Sequence, residues 1–211
     1  MFFVKMYEGK KINCLGDSIT EGVNTSKPYH EWLYDMNGFS KVNNYGIRST
    51  CISTGEDNNF IKRYSLMDKD ADVISVLGGT NDWGHSHKLG DISSKDTDTF
   101  YGALKVLCDG LINMYLTKTI FFITPLQRVK PADGCPKGQK TNLNGNTLLQ
   151  YVQAIQEVCA SYSIPVLNLY DNCFCPSIDK VKTDIMQDGL HPNEIGHEIM
   201  ARKIAAFINM L

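Results

Sequence analysis

Short apolar runs alternate with longer amphipathic stretches along this 211-residue chain. Lys11–Gly16, KINCLG, reads as a short buried strand that ends at a glycine. Tyr29–Asn37 reads as a helix closed by Gly38. Residues 41–45 form a weaker strand pattern ending at Gly46, and residues 60–67 a helical one. ADVISVL, residues 71–77, is rich in β-branched side chains and stops at Gly78-Gly79. Phe100, Leu104, Leu107, Leu111 and Met114 recur at steps of four and three, which marks one helical face. TIFFIT, residues 119–124, is a strand halted by Pro125. Leu148, Tyr151, Val152, Ile155, Val158, Cys159 and Tyr162 form the stripe of another helix, and residues 165–169 the last strand. The closing helix is expected from about Pro192 to Leu211, with Ile195, Ile199, Met200, Ile204, Phe207 and Leu211 facing inward. Residues 81–98 and 127–146 are polar and read as loops; the second is long enough to suggest function or mobility.

This alternation specifies an α/β fold: a three-layer α/β/α sandwich on a mainly parallel five-stranded sheet. The length suits one domain over residues 1–211, and no linker or repeat interrupts it. Ligands of such sheets sit outside the carboxyl ends of the strands. Gly16-Asp17-Ser18, Gly46 and Gly78-Gly79-Thr80-Asn81-Asp82 all fall at strand ends, so they should share one rim.

The hydrophobic content is 43% and the formal charge −2, which leaves no electrostatic footprint for nucleic acid or an anionic membrane surface. No apolar run approaches a bilayer span. The opening MFFVKMYEGKK is interrupted too soon by Lys5 and Glu8 to read as a secretion signal, and a cytoplasmic location is expected. Seven irregularly spaced cysteines read as free thiols in a reducing compartment. Cys173-Phe-Cys175 lacks the second pair that a structural metal site needs. His85-Ser-His87, with Asp91 nearby, shares no helix face and shows no third ligand in sequence; it reads as a polar loop at the pocket rim, with no metal.

Ser18 is the candidate that changes the picture. Alone, a serine after a strand is a cap or turn residue. Far along the chain, Asp188-Gly-Leu-His191 precedes the last helix. Pro192 biases His191 toward an extended backbone and suits a first helical position. A carboxylate three residues before an imidazole can hold its tautomer while the other ring nitrogen takes a proton. Asp17 reads as an acid bracing the serine turn, and His197 as an ordinary partly buried histidine.

Taken in order, these blocks resemble the SGNH/GDSL-type serine hydrolases. Gly16-Asp17-Ser18-Ile19 resembles the first block, Gly46 the second-block glycine, Gly79-Thr80-Asn81-Asp82 the third and Asp188-x-x-His191 the last. Ile19 stands where the family name implies leucine. The resemblance implies Ser18 as nucleophile, His191 as general base and then acid, and Asp188 as its orienting carboxylate. It also implies an oxyanion hole from the Ser18 and Gly46 backbone N–H groups and the Asn81 amide. Trp83, Arg48 and Arg128, just beyond strand ends, are candidates for contacting substrate. The implied activity is hydrolysis of a small-molecule ester through an acyl-serine, with no cofactor. Short acyl chains, acetyl esters of carbohydrates foremost, fit the lack of an apolar lid. The alternatives are a thioesterase or lysophospholipase-type acylhydrolase, or a carbohydrate-binding module that kept the fold. Oligomeric state is not legible.

Overall fold

The computed structural model describes residues 7–211. In chain order the elements are β1 (Lys11–Gly16), α1 (Ser18–Glu21), α2 (Tyr29–Asn37), β2 (Lys41–Gly46), α3 (Phe60–Arg63) with a 3₁₀ turn (Tyr64–Leu66), β3 (Val73–Leu77) and α4 (Thr80–Gly84). They continue with α5 (Phe100–Met114), β4 (Thr119–Ile123), α6 (Leu148–Ser161), β5 (Val166–Leu167), α7 (Leu169–Asn172), α8 (Asp179–Asp184) and α9 (Glu194–Ile208). The five strands form one sheet in the order β2-β1-β3-β4-β5, and every pairing is parallel.

Side chains alternate across the sheet with the two-residue period of a strand. Leu15, Ile74, Val76 and Phe122 point to the layer of α3, α5 and α6, where Phe60, Phe100, Leu104, Tyr151 and Ile155 meet them. Ile12, Cys14, Val73, Leu77, Phe121 and Ile123 point to α2 and α9, against Leu33, Met200 and Ile204. Helix ends carry the expected devices: Gly38 closes α2 in the left-handed region at φ 77°, Thr99 caps α5 by accepting from Gly102, and Gln150 Oε1 takes the Thr147 N–H at the start of α6.

Several boundaries differ from expectation. The segment 60–67 is one turn of α-helix followed by a 3₁₀ turn. β5 has two residues, because Leu169 already opens α7. α9 starts at Glu194, since the Asn193 side chain accepts from Gly196 and makes Asn193 the cap; Pro192 lies outside the helix. Ile195 and Leu211, expected to face inward, are exposed; Met200, Ile204 and Ile208 carry the buried face. All seven cysteines are free. Among the described residues no helix is long and apolar enough to cross a membrane.

Candidate active site

The register places the rim. Gly16 pairs with Gly46 on one side and with Leu77 on the other, so three strands end side by side. β1 turns at once into α1, and a Cβ on Gly16 would meet Thr20 Oγ1 at 1.9 Å. Glycine is what permits so tight a reversal. Asp17 caps α1: its Oδ1 accepts the Ile19 N–H at 3.0 Å. Complete burial, helped by repulsion from Asp82, pushes its pKa up to about 7 despite that bond. Ser18 opens the helix and is buried. Its N–H is one of the first-turn groups without an intrahelical partner, so it is available to a ligand.

His191 arrives from the other end of the chain. Its Nε2 lies 2.8 Å from Ser18 Oγ, and its Nδ1 lies 2.6 Å from Asp188 Oδ2. The other Asp188 oxygen accepts the backbone N–H groups of Leu190 and His191, at 2.9 and 2.7 Å, in an Asx turn. Burial works to raise the Asp188 pKa, but these bonds and the His191 side chain outweigh it and hold the carboxyl below its usual value. Gly189 has φ 76°, and its carbonyl accepts from Val129 and Lys130, which ties the turn to the loop after β4.

Asn81 sits in α4, also buried. Its amide donates to Thr50 O at 3.0 Å, which orients the group and leaves a second hydrogen for the site. Two further residues build this wall, of which sequence reading missed Arg63 and read Asp82 as a structural acid. Arg63 donates to Tyr45 O, Gly16 O, Asn58 O and Thr50 Oγ1, and so pins the ends of β1 and β2 to the Thr50 loop. Burial lowers its pKa to about 10. Asp82, fully buried, accepts the Ile52 and Ser53 N–H groups and the Ser53 hydroxyl.

A polar cavity of about 240 Å³ opens above Ser18, Asn81 and His191, bordered also by Val23, Ser49, Leu190 and Lys130. Gly46 is not among its lining residues, and its N–H is already donated to Asn44 Oδ1 at 2.8 Å. Its glycine identity has a packing cause: a Cβ there would meet the Glu21 backbone nitrogen at 2.1 Å. Ser49, three residues on, does line the cavity, and its backbone stands in the left-handed region at φ 60°. Among the described residues the Ser49 N–H has no protein acceptor. Left-handed backbone in a non-glycine residue beside a cavity is a structural signal for function. In the sequence, Ser49 looks like any loop serine.

Arg48 borders the cavity but is paired with Glu21, which accepts from its backbone and its guanidinium. Arg128 also borders it. Its guanidinium is spent on Thr80 O, Thr80 Oγ1, Lys130 O and Pro131 O, and it stacks 5.0 Å from the Trp83 ring. It is a strut of the wall. Trp83 is buried, donates to Asn146 O, and lies outside the Ser18 cavity, underneath Arg128. His85 and His87 do find further polar neighbours, Cys51 and Glu56, whereas Asp91 turns back on Ser93.

Ser18 Oγ, the His191 imidazole and the Asp188 carboxylate thus form one hydrogen-bonded chain at the carboxyl rim of a parallel α/β sheet. A family model for the GDSL-like lipase/acylhydrolase family matches residues 14–199. A crystal structure of a Lactobacillus plantarum protein superimposes with a TM-score of 0.89 at 32% identity, covering 96% of this chain and 98% of that one. An acetylxylan esterase from Geobacillus stearothermophilus shares the fold, with a TM-score of 0.66 at 19% identity and coverage of 96% and 95%. No curated protein matches the chain. The protein belongs to the GDSL-like lipase/acylhydrolase family, the SGNH hydrolases, and is a carboxylic ester hydrolase.

Proposed function

We propose that the protein is a serine esterase that removes short acyl groups, acetyl foremost, from hydroxyl-rich alcohols such as carbohydrates. The observation that carries the reading is the continuous chain from Ser18 Oγ through His191 to Asp188, set at the floor of a small polar cavity.

The chemistry follows from that chain. A neutral serine hydroxyl is a weak nucleophile until a base takes its proton. His191 Nε2 takes it as Oγ attacks the ester carbonyl, while Asp188 holds the Nδ1–H and stabilises the imidazolium. The oxyanion forms beside the Ser18 N–H and the free Asn81 amide hydrogen. For the third donor we assign the Ser49 N–H in place of Gly46, whose N–H is engaged. Fixed donors already aimed at the developing charge need no reorganisation when it appears. His191 then returns its proton to the leaving alcohol. Water repeats the cycle on the acyl-Ser18 ester, releasing the acid. The residues supply every proton transfer, and no cofactor enters a step.

The test is p-nitrophenyl acetate hydrolysis by wild type and Ser18→Ala, paired with fluorophosphonate labelling. Wild type should turn over and label at Ser18, and the variant should do neither. A Ser18→Ala protein that hydrolyses as fast as wild type would sink the reading.

A further inference from the structure

The loop after β2 and the turn after α4 bring together four side chains that the hydrolytic chemistry does not use. Cys51, Glu56, His85 and His87 each offer one donor atom, and the four atoms lie within 4.8 Å of one another. His85 Nδ1 is 2.7 Å from Glu56 Oε1 and 3.7 Å from Cys51 Sγ. Sequence alone could not assemble this set, because Cys51 and Glu56 are some thirty residues from the histidines.

We infer that Cys51, Glu56, His85 and His87 form a site for one divalent transition-metal ion of the zinc class. Thiolate, two imidazoles and a carboxylate are ligands that zinc takes in tetrahedral sites, at about 2.0–2.3 Å. Such bond lengths bring neighbouring donors to about 3.3–3.7 Å of each other. Side-chain rotation draws the wider donor pairs together and parts His85 Nδ1 from Glu56 Oε1, 2.7 Å apart without an ion. The charges also balance, since one thiolate and one carboxylate neutralise a divalent cation.

The residues behind the histidines complete the case. The Ser53 hydroxyl donates to buried Asp82 Oδ1 at 2.6 Å, so its oxygen must accept from His87 Nδ1, also at 2.6 Å. That fixes the tautomer with Nδ1 protonated and leaves the Nε2 lone pair to coordinate. On His85, Nδ1 faces Glu56 Oε1 and Cys51 Sγ, and Nε2 lies 3.7 Å from Asp133 Oδ2, beyond hydrogen-bond reach. Metal-bound histidines characteristically hold their second nitrogen as Ser53 holds that of His87. Gly55 lets the loop lie against His87, whose ring a Cβ would meet at 2.6 Å. Binding expels the Cys51 proton to solvent. The ion adds no step to ester hydrolysis; it fastens the 50–56 loop to α4, one residue from the Thr50 carbonyl that orients Asn81.

Cobalt(II) titration of the metal-stripped full chain tests this. Wild type should bind one ion with tetrahedral visible bands and a thiolate-to-cobalt charge-transfer band, and zinc should displace it. Cys51→Ser should lose the charge-transfer band, while Cys175→Ser, an exposed thiol elsewhere, should keep it. Ser53→Ala should weaken binding by about 10–100-fold. Should Cys51→Ser fail to fold, His85→Ala, at the partly exposed edge, must still weaken binding by at least tenfold. A wild type without the charge-transfer band, a band that survives Cys51→Ser, or unchanged affinity in His85→Ala overturns the site.

Discussion

Among the described residues the Asn81 amide donates only to Thr50 O, which in the proposed mechanism leaves its second hydrogen to meet charge that appears only during reaction. Removing one such donor costs about 10²–10³-fold in kcat. Asn81→Ala should show that loss with KM nearly unchanged, because the ground-state carbonyl gains little from the donor. A rise in KM at constant kcat would instead make Asn81 a substrate-binding group. At this scale the sequence was legible where the chemistry is local. Asp188 and His191 are three residues apart, and the turn that joins them follows from the Asp188 side chain accepting the next backbone N–H groups. Ser49 and Arg63 were not legible, because their roles depend on distant partners. The loop carrying Ser49 is held through Arg48 by Glu21, and Arg63 acts on backbone carbonyls, which leave no trace in residue type.

Among the elements, α2 starts without a side-chain cap: Pro28 precedes it and offers none. The N–H of Tyr29 is taken instead by His197 Nδ1 of α9, at 3.1 Å. His197 is therefore a fully buried cap supplied by another helix. Burial, with smaller repulsions from His30 and His191, lowers its pKa to about 3. Between that value and the unfolded value near 6.5, the unfolded chain binds a proton that the folded chain refuses. The stability this group contributes is complete above pH 6.5 and is lost as pH falls toward 3. His197→Asn keeps an acceptor for Tyr29 but cannot titrate. Its stability relative to wild type should rise by about 1.4 kcal/mol for each pH unit below 6. Urea denaturation of both proteins from pH 7.5 to 4.5 reads this directly, and parallel curves would remove His197 from the acid response. Elements with several turns, α5 and α6, were legible from periodicity, since a buried stripe repeats. The four-residue helices α1 and α7 are shorter than any stripe and could not be read that way.

Across the whole molecule, two apolar layers cover the sheet and leave the carboxyl ends of its strands to polar side chains. The parallel sheet and the rim that holds Ser18 were legible, because ligands of parallel α/β sheets sit at the carboxyl ends of the strands; the strand order was not read from the sequence. What the rim accepts was not legible, because segments from five regions beyond Ser18 shape it. The Ser18 cavity has a volume of about 240 Å³, and its apolar contacts come from Val23 and Leu190; beyond them stand His85, Arg128, Lys130 and Asp133. A buried methylene gains about 0.8 kcal/mol only where apolar atoms replace water. An acetyl or butyryl group gains from Val23 and Leu190, but a longer chain must desolvate charged groups. A larger cleft, about 420 Å³, lies on the far side of Arg128 and Lys130 and is lined by Trp83, Val129, Leu148, Leu149 and Tyr170. The four hydrogen bonds of the Arg128 guanidinium hold that partition shut. The kcat/KM for p-nitrophenyl acetate or butyrate should therefore exceed that for octanoate by about tenfold or more, the equivalent of 1.4 kcal/mol. A series of p-nitrophenyl esters at submicellar concentration measures it. If octanoate is the faster substrate, the short-acyl reading fails, and the partition must open to seat the chain beside Trp83.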